Sequence, residues 1–124
     1  MHVVEYLDRH PKVSRVHWAN EPRSQSNFQK IARSENSIGG MISFELDSDL
    51  ARFYDRLTIC KGPSFGMGHS LACPFMYLAH YELVSDRKAR EQLALAGINP
   101  ELIRFSVGTE PVAGIIDSLR FALS

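Results

Sequence analysis

Ten residues near the C-terminus, Leu102-Ile103-Arg104-Phe105-Ser106-Val107-Gly108-Thr109-Glu110-Pro111, set a single arginine in the middle of an otherwise apolar strand. With a period of two, Ile103, Phe105 and Val107 share one face, and Leu102, Arg104 and Ser106 share the other. The first face reads as core. An unpaired guanidinium is costly to bury and its planar fork matches a carboxylate bidentately, so Arg104 needs water, a partner or an acidic ligand. Spacing alone favours the solvated edge arginine over the anion anchor.

Two further constellations could do chemistry. Gly62-Pro63-Ser64-Phe65-Gly66 satisfies G-x-S-x-G, the nucleophile elbow of serine hydrolases. That fold requires Ser, then Asp or Glu, then His in chain order. No histidine follows His80, whereas Glu82, Asp86 and Asp117 all do, so the order cannot close. Cys60, His69, Cys73 and His80 could be drawn together around a metal, but no C-x-x-C or H-x-x-H spacing supports a site. No metal is expected.

Composition narrows the partners. The 124 residues suffice for one domain with a real core, and a formal net charge of +0 offers no field for nucleic acid or an anionic membrane. No apolar run approaches a membrane span, and the N-terminus lacks the order of a signal peptide, so a cytoplasmic protein is expected. Cys60 and Cys73 read as reduced, partly buried thiols rather than a disulfide framework.

The elements that would carry these residues alternate between helix and strand. Residues 1–9 read as a helix end stopped by His10-Pro11, followed by a strand through Val13 to Trp18. Ser26 is a plausible N-cap for a helix over Phe28 to Arg33. Gly39-Gly40 turns into a strand with Ile42, Phe44 and Leu46 on one face. Ser48 or Asp49 caps a helix bearing Leu50, Phe53, Tyr54 and Leu57. Short strands are expected at Thr58–Cys60 and His69–Cys73, while Tyr77 to Glu82 shows no clear period. Asp86 caps a helix ending at Gly97, and Glu110-Pro111 opens a last helix along Val112, Ile115, Ile116, Leu119 and Leu123. One-sided strands among amphipathic helices predict an α+β fold, a small and mostly antiparallel sheet with helices on one face. Ser43, Glu45, Arg104 and Ser106 would then project from the other face.

Four segments, in order along the chain, resemble motifs of the Cys/Met metabolism family of pyridoxal-phosphate enzymes, which includes cystathionine gamma-synthase, the cystathionine lyases and methionine gamma-lyase. Residues 10–16, HPKVSRV, resemble H-P-x-V-x-x-V. Residues 39–46, GGMISFEL, resemble G-G-M-x-S-F-E-L. Residues 64–71, SFGMGHSL, resemble S-L-G-G-V-E-S-L, and residues 102–110 resemble L-I-R-x-S-V-G-x-E. The resemblance implies a C-terminal domain of the kind found in fold-type I pyridoxal-phosphate transferases, with residues 1–124 as that single domain. The Schiff-base lysine and the rest of the cofactor site would belong to a large domain not among these residues, since Lys12, Lys30, Lys61 and Lys88 lack the family's setting.

The same resemblance implies roles. Arg104 would grip the alpha-carboxylate of an amino-acid substrate, Ser64 would contribute to that pocket, and His69 would stand where many members carry a specificity-setting glutamate. No catalytic residue is expected in this segment, and alone it should be inactive. The implied whole is a C–S lyase or gamma-replacement enzyme using pyridoxal 5'-phosphate, with a large domain or subunit as partner and homo-oligomeric assembly. The alternative is a non-catalytic binding or assembly module that kept the fold. Two departures from the family, at Trp18-Ala19-Asn20 and from Pro74 to Glu82, alter the expected cleft entrance.

Overall fold

The computed structural model describes residues 1–34 and 37–124. Five strands form one sheet in the order β1-β2-β5-β4-β3: β1 (Val13–Trp18), β2 (Met41–Leu46), β3 (Cys60–Lys61), β4 (Leu71–Pro74) and β5 (Leu102–Ser106). The short β3–β4 pair is parallel and the other pairs are antiparallel, so the expected α+β architecture holds.

Period-two apolar patterning sets the register. Ile42 lies opposite Phe105 and Phe44 opposite Ile103, and Ala72 meets Phe105 from the other side. A one-residue slip would turn every one of these side chains to the wrong face. Over them lie α1 (His2–Asp8), α3 (Leu50–Arg56) and α7 (Val112–Leu123). These helices supply Val3, Val4, Leu7, Leu50, Phe53, Ile115, Leu119, Ala122 and Leu123 to the main core. Phe44 and Phe53 meet edge to face with centroids 5.8 Å apart, the preferred geometry for two ring quadrupoles. Asp49 caps α3 by accepting the Arg52 amide at 3.1 Å.

A second cluster, Met76, Val84 and Leu93, joins α4 (Phe75–Ala79), α5 (Tyr81–Ser85) and α6 (Arg87–Leu95). Asp86 caps α6 by accepting the Ala89 amide at 2.8 Å, and Gly97 ends it at φ +71°, where a Cβ would be strained.

Four expectations shift. The helix expected over Phe28 to Arg33 is α2 (Gln25–Gln29), because Ser24, not Ser26, occupies the cap position. The Ser24 hydroxyl donates to the Ala19 carbonyl at 2.9 Å, closing the preceding turn early. The Tyr77 to Glu82 stretch lies in α4 and α5, two short helices broken at His80, too short to show a period. Both short strands begin two residues late, at Cys60 and Leu71. Finally, Ser106 does not project from an open face. It is 3 % exposed, because the segment between β3 and β4 folds over it.

Candidate functional site

β5 hydrogen-bonds to β2 on one side and β4 on the other, so Ser43, Arg104 and Cys73 lie side by side on the face opposite Ile103 and Phe105. The half-buried Arg104 side chain donates from Nη2 to the Pro63 carbonyl. Its Cζ lies 5.0 Å from the Phe75 ring centroid and 5.5 Å from that of Phe65. Both separations are within cation–π range, so the guanidinium is held by one carbonyl and two rings. Among the described residues no carboxylate forms an ion pair with it. The arrangement leaves guanidinium N–H groups for an external anion, and two parallel N–H donors are what a carboxylate accepts most strongly.

The loop that carries Pro63 is tied to β4, to β5 and to the extension of β5 at several points. The Gly62 amide donates to the Ala72 carbonyl at 3.0 Å and the Gly66 amide to Ser106 Oγ at 3.0 Å. Thr109 donates to the Gly68 carbonyl from both its amide, at 2.9 Å, and its hydroxyl, at 2.8 Å. Ser70, fully buried, donates from Oγ to Glu110 Oε2 at 2.9 Å and accepts the Gly108 amide at 2.9 Å, while its own amide donates to Glu110 Oε1. The Ser70 amide holds the Glu110 carboxyl below the usual carboxylate range, with smaller help from the Ser70 hydroxyl and the nearby His69. Gly108 is required where it stands: a Cβ would run into the His69 and Ser70 backbone and the Glu110 carboxylate. Residues 106–110 are thus the fastening of the loop that positions Arg104.

Ser64 follows Pro63 on that loop and is exposed; the contact with the guanidinium is made by the carbonyl of its neighbour Pro63. His69, also exposed, sits at the other end of the loop beside the Ser70–Glu110 pair. Of the three candidates, Arg104 contacts this loop through the Pro63 carbonyl, Ser64 is the next residue along the chain, and His69 lies beside the Ser70–Glu110 pair at the loop's far end. Sequence reasoning missed Phe65 and Phe75, whose approach to Arg104 depends on a loop closure. It also missed Ser70, Gly108 and Glu110, whose signal was the S-V-G-T-E run itself.

Cys73, next to Arg104, is 2 % exposed, and burial pushes its thiol up, partly opposed by the Arg104 charge. It also lines an apolar cleft of about 250 Å³ with Tyr54, Pro63, Pro74, Tyr77 and Leu78. Cys60 is exposed, and neither thiol is bridged. No cluster of three or more potential metal ligands occurs among the described residues.

A cofactor held through a lysine needs that lysine in a pocket with acidic and aromatic neighbours. Lys30, Lys61 and Lys88 are exposed, Lys61 lying 5.0 Å from the Tyr54 ring centroid, and Lys12 donates to the Ser124 carbonyl at 3.0 Å. None of these four lysines has such a setting, so they do not fit the seat of a lysine-bound cofactor. No helix is long and apolar enough to cross a membrane among the described residues.

Comparison with known proteins supplies relatives of the chain as a whole. The sequence pattern of the Cys/Met metabolism PLP-dependent enzymes matches residues 1–124. The chain is 36% identical to the L-2-amino-4-chloropent-4-enoate dechlorinase/desaturase of Streptantibioticus cattleyicolor over 94% of its own length and 23% of that protein's. It is 31% identical to the cystathionine gamma-synthase of Neurospora crassa over 98% of its length and 19% of that protein's. A crystal structure of a cystathionine gamma lyase from Micromonospora echinospora superposes with a TM-score of 0.77 at 32% identity, covering 98% of this chain and 31% of that one. The chain thus spans less than a third of the length of these relatives.

Proposed function

The chain belongs to the family of Cys/Met metabolism PLP-dependent enzymes, and from that membership we propose that it serves as a small domain in which Arg104 anchors the alpha-carboxylate of an amino-acid substrate. The family's cofactor is pyridoxal phosphate, which when bound supplies an electron sink for substrate carbon acids. In this reading the lysine-bearing domain is a separate part of the polypeptide or a separate subunit, residues 1–124 are inactive alone, and the whole is a cytoplasmic homo-oligomer. The reaction class is elimination or replacement at the beta or gamma carbon of a sulfur amino acid.

The observation that carries the proposal is the guanidinium of Arg104. It is half-buried on a rigid central strand, oriented by the Pro63 carbonyl, and not neutralised by any acid among the described residues. Its part is orientation. A fork fixed on β5 holds the substrate's carboxylate in one plane, which removes rotational freedom before any bond changes. Ser64, beside Pro63, adds a hydroxyl at the same rim. His69 offers an imidazole where a glutamate would attract a distal ammonium, so short or uncharged side chains are favoured over cystathionine.

The test is the release of oxo acid from cystathionine, cysteine, methionine and O-acetylhomoserine by the protein joined with its cofactor domain, as wild type and as His69→Glu. Preference for the uncharged side chains, shifted toward cystathionine by the glutamate, is expected. A wild type that already prefers cystathionine, with unchanged ratios in the variant, removes His69 from the site. Absence of any turnover favours the assembly-module reading, in which the Pro63, Phe65 and Phe75 contacts of Arg104 are its whole purpose.

A further inference from the structure

Phe65 is 63% exposed, so burial gives little reason for an aromatic ring there. Nevertheless the ring is held over Arg104 at 5.5 Å, because the loop is pinned on both sides of it. Before it, the Pro63 carbonyl accepts from Arg104, and after it, the Gly66 amide donates to the buried Ser106 at 3.0 Å. Phe75 is fixed differently. It opens α4, packs on the Met76, Val84 and Leu93 cluster, and meets the His80 ring edge-on at 5.8 Å and 72°. Two rings from separate elements thus converge on one cation whose remaining N–H groups have no acid to bind among the described residues.

We propose that Phe65 and Phe75 are positioning residues that hold the Arg104 guanidinium, and that the exposed Phe65 ring makes it select carboxylates bearing an apolar group. This rests on the reading of Arg104 as a carboxylate anchor. Phe75 and the Pro63 carbonyl fix where the guanidinium sits. A carboxylate reaching the free N–H groups then brings its own substituent against Phe65. An apolar substituent gains contact with that ring, whereas a bare or charged one gains nothing.

The experiment uses the isotopically labelled 124-residue chain, following the Arg104 Nε–Hε resonance and the Phe65 ring protons by NMR during titration with acetate or with 3-phenylpropanoate. Both probes should move the arginine signal, with 3-phenylpropanoate binding about two- to fivefold more tightly, the ratio expected of one modest ring contact. Phe65→Ala should bring that ratio to unity, and Phe65→Leu should retain part of it. Because Phe65 is exposed, both variants should keep the wild-type amide spectrum. Equal affinities in the wild type, or a ratio that survives Phe65→Ala, overturn the selection while leaving the anchor intact. If neither probe moves the arginine signal, or if Arg104→Lys binds them as the wild type does, the anchor itself fails and the selection with it.

Discussion

Replacing Gly108 by alanine should cost far more than a surface loop substitution. The new methyl group would collide with the His69 carbonyl carbon and the Ser70 amide nitrogen, which are backbone and cannot rotate away, and with Glu110 Oε2. Relief requires moving residues 106–110 off the loop. That breaks the Gly108–Ser70 hydrogen bond of 2.9 Å and loosens the charge-assisted bonds from Ser70 to Glu110, leaving a fully buried serine unsatisfied. One neutral bond is worth about 1 kcal/mol and a charge-assisted one about 1.5–3 kcal/mol, so partial loss gives about 2–4 kcal/mol. For a domain of this size the midpoint of thermal unfolding should fall on the order of 10 °C. Urea denaturation of wild type and Gly108→Ala, with thermal unfolding alongside, measures it. Glu110→Ala should also cost less in the Gly108→Ala background than in the wild type, since both act on one junction. A loss below about 0.5 kcal/mol, the range of an ordinary surface change, would refute the close approach and with it the view that residues 106–110 fasten the loop.

The same junction has a pH signature. Glu110 is held below its ordinary value of 4.5, so its stabilisation is fully present above that pH and is lost as the pH falls through the folded-state value. The difference in urea midpoint between wild type and Glu110→Gln should be constant near neutrality and narrow below about pH 4.5; a difference independent of pH contradicts the assignment. Thiol labelling checks the layer beside Arg104. Exposed Cys60 should react at once with a disulfide reagent and Cys73, at 2 % exposure with its thiol pushed up by burial, only on unfolding. Two equivalents labelled rapidly in the native protein would contradict the burial of Cys73 beside Arg104.

What could be read from the sequence was whatever repeats with a short period. Ile103 and Phe105, Ile42 and Phe44, and Ile115, Leu119 and Leu123 of the last helix declare their faces by spacing, and the structure buries all of them; of the same stripe Ile116 is only half-buried and Val112, in the first turn, is exposed. Asp49 and Asp86 announce two helix starts because a cap acts within three residues. Contacts between distant segments were not legible. Ser106 alternates with Phe105 and so reads as outward-facing, yet Gly66, forty residues earlier, closes over it. Phe65 and Phe75 carry no local sign that they meet at one arginine, since each sits in a non-repeating stretch. Two five-residue helices, α4 and α5, are too short for a moment and are held by the Met76–Val84–Leu93 cluster instead of by their own pattern.

The central claim, that Arg104 grips a substrate carboxylate, is met most directly by Arg104→Lys in the protein joined with its cofactor domain, with kcat and KM measured separately. Lysine keeps the charge but loses the fork, the second donor and the planar contact with Phe65 and Phe75. A fall in kcat/KM equivalent to about 1–3 kcal/mol is expected, with thermal stability nearly unchanged. Wild-type kinetics in Arg104→Lys would contradict the account and leave Arg104 as a structural residue at the edge of its loop.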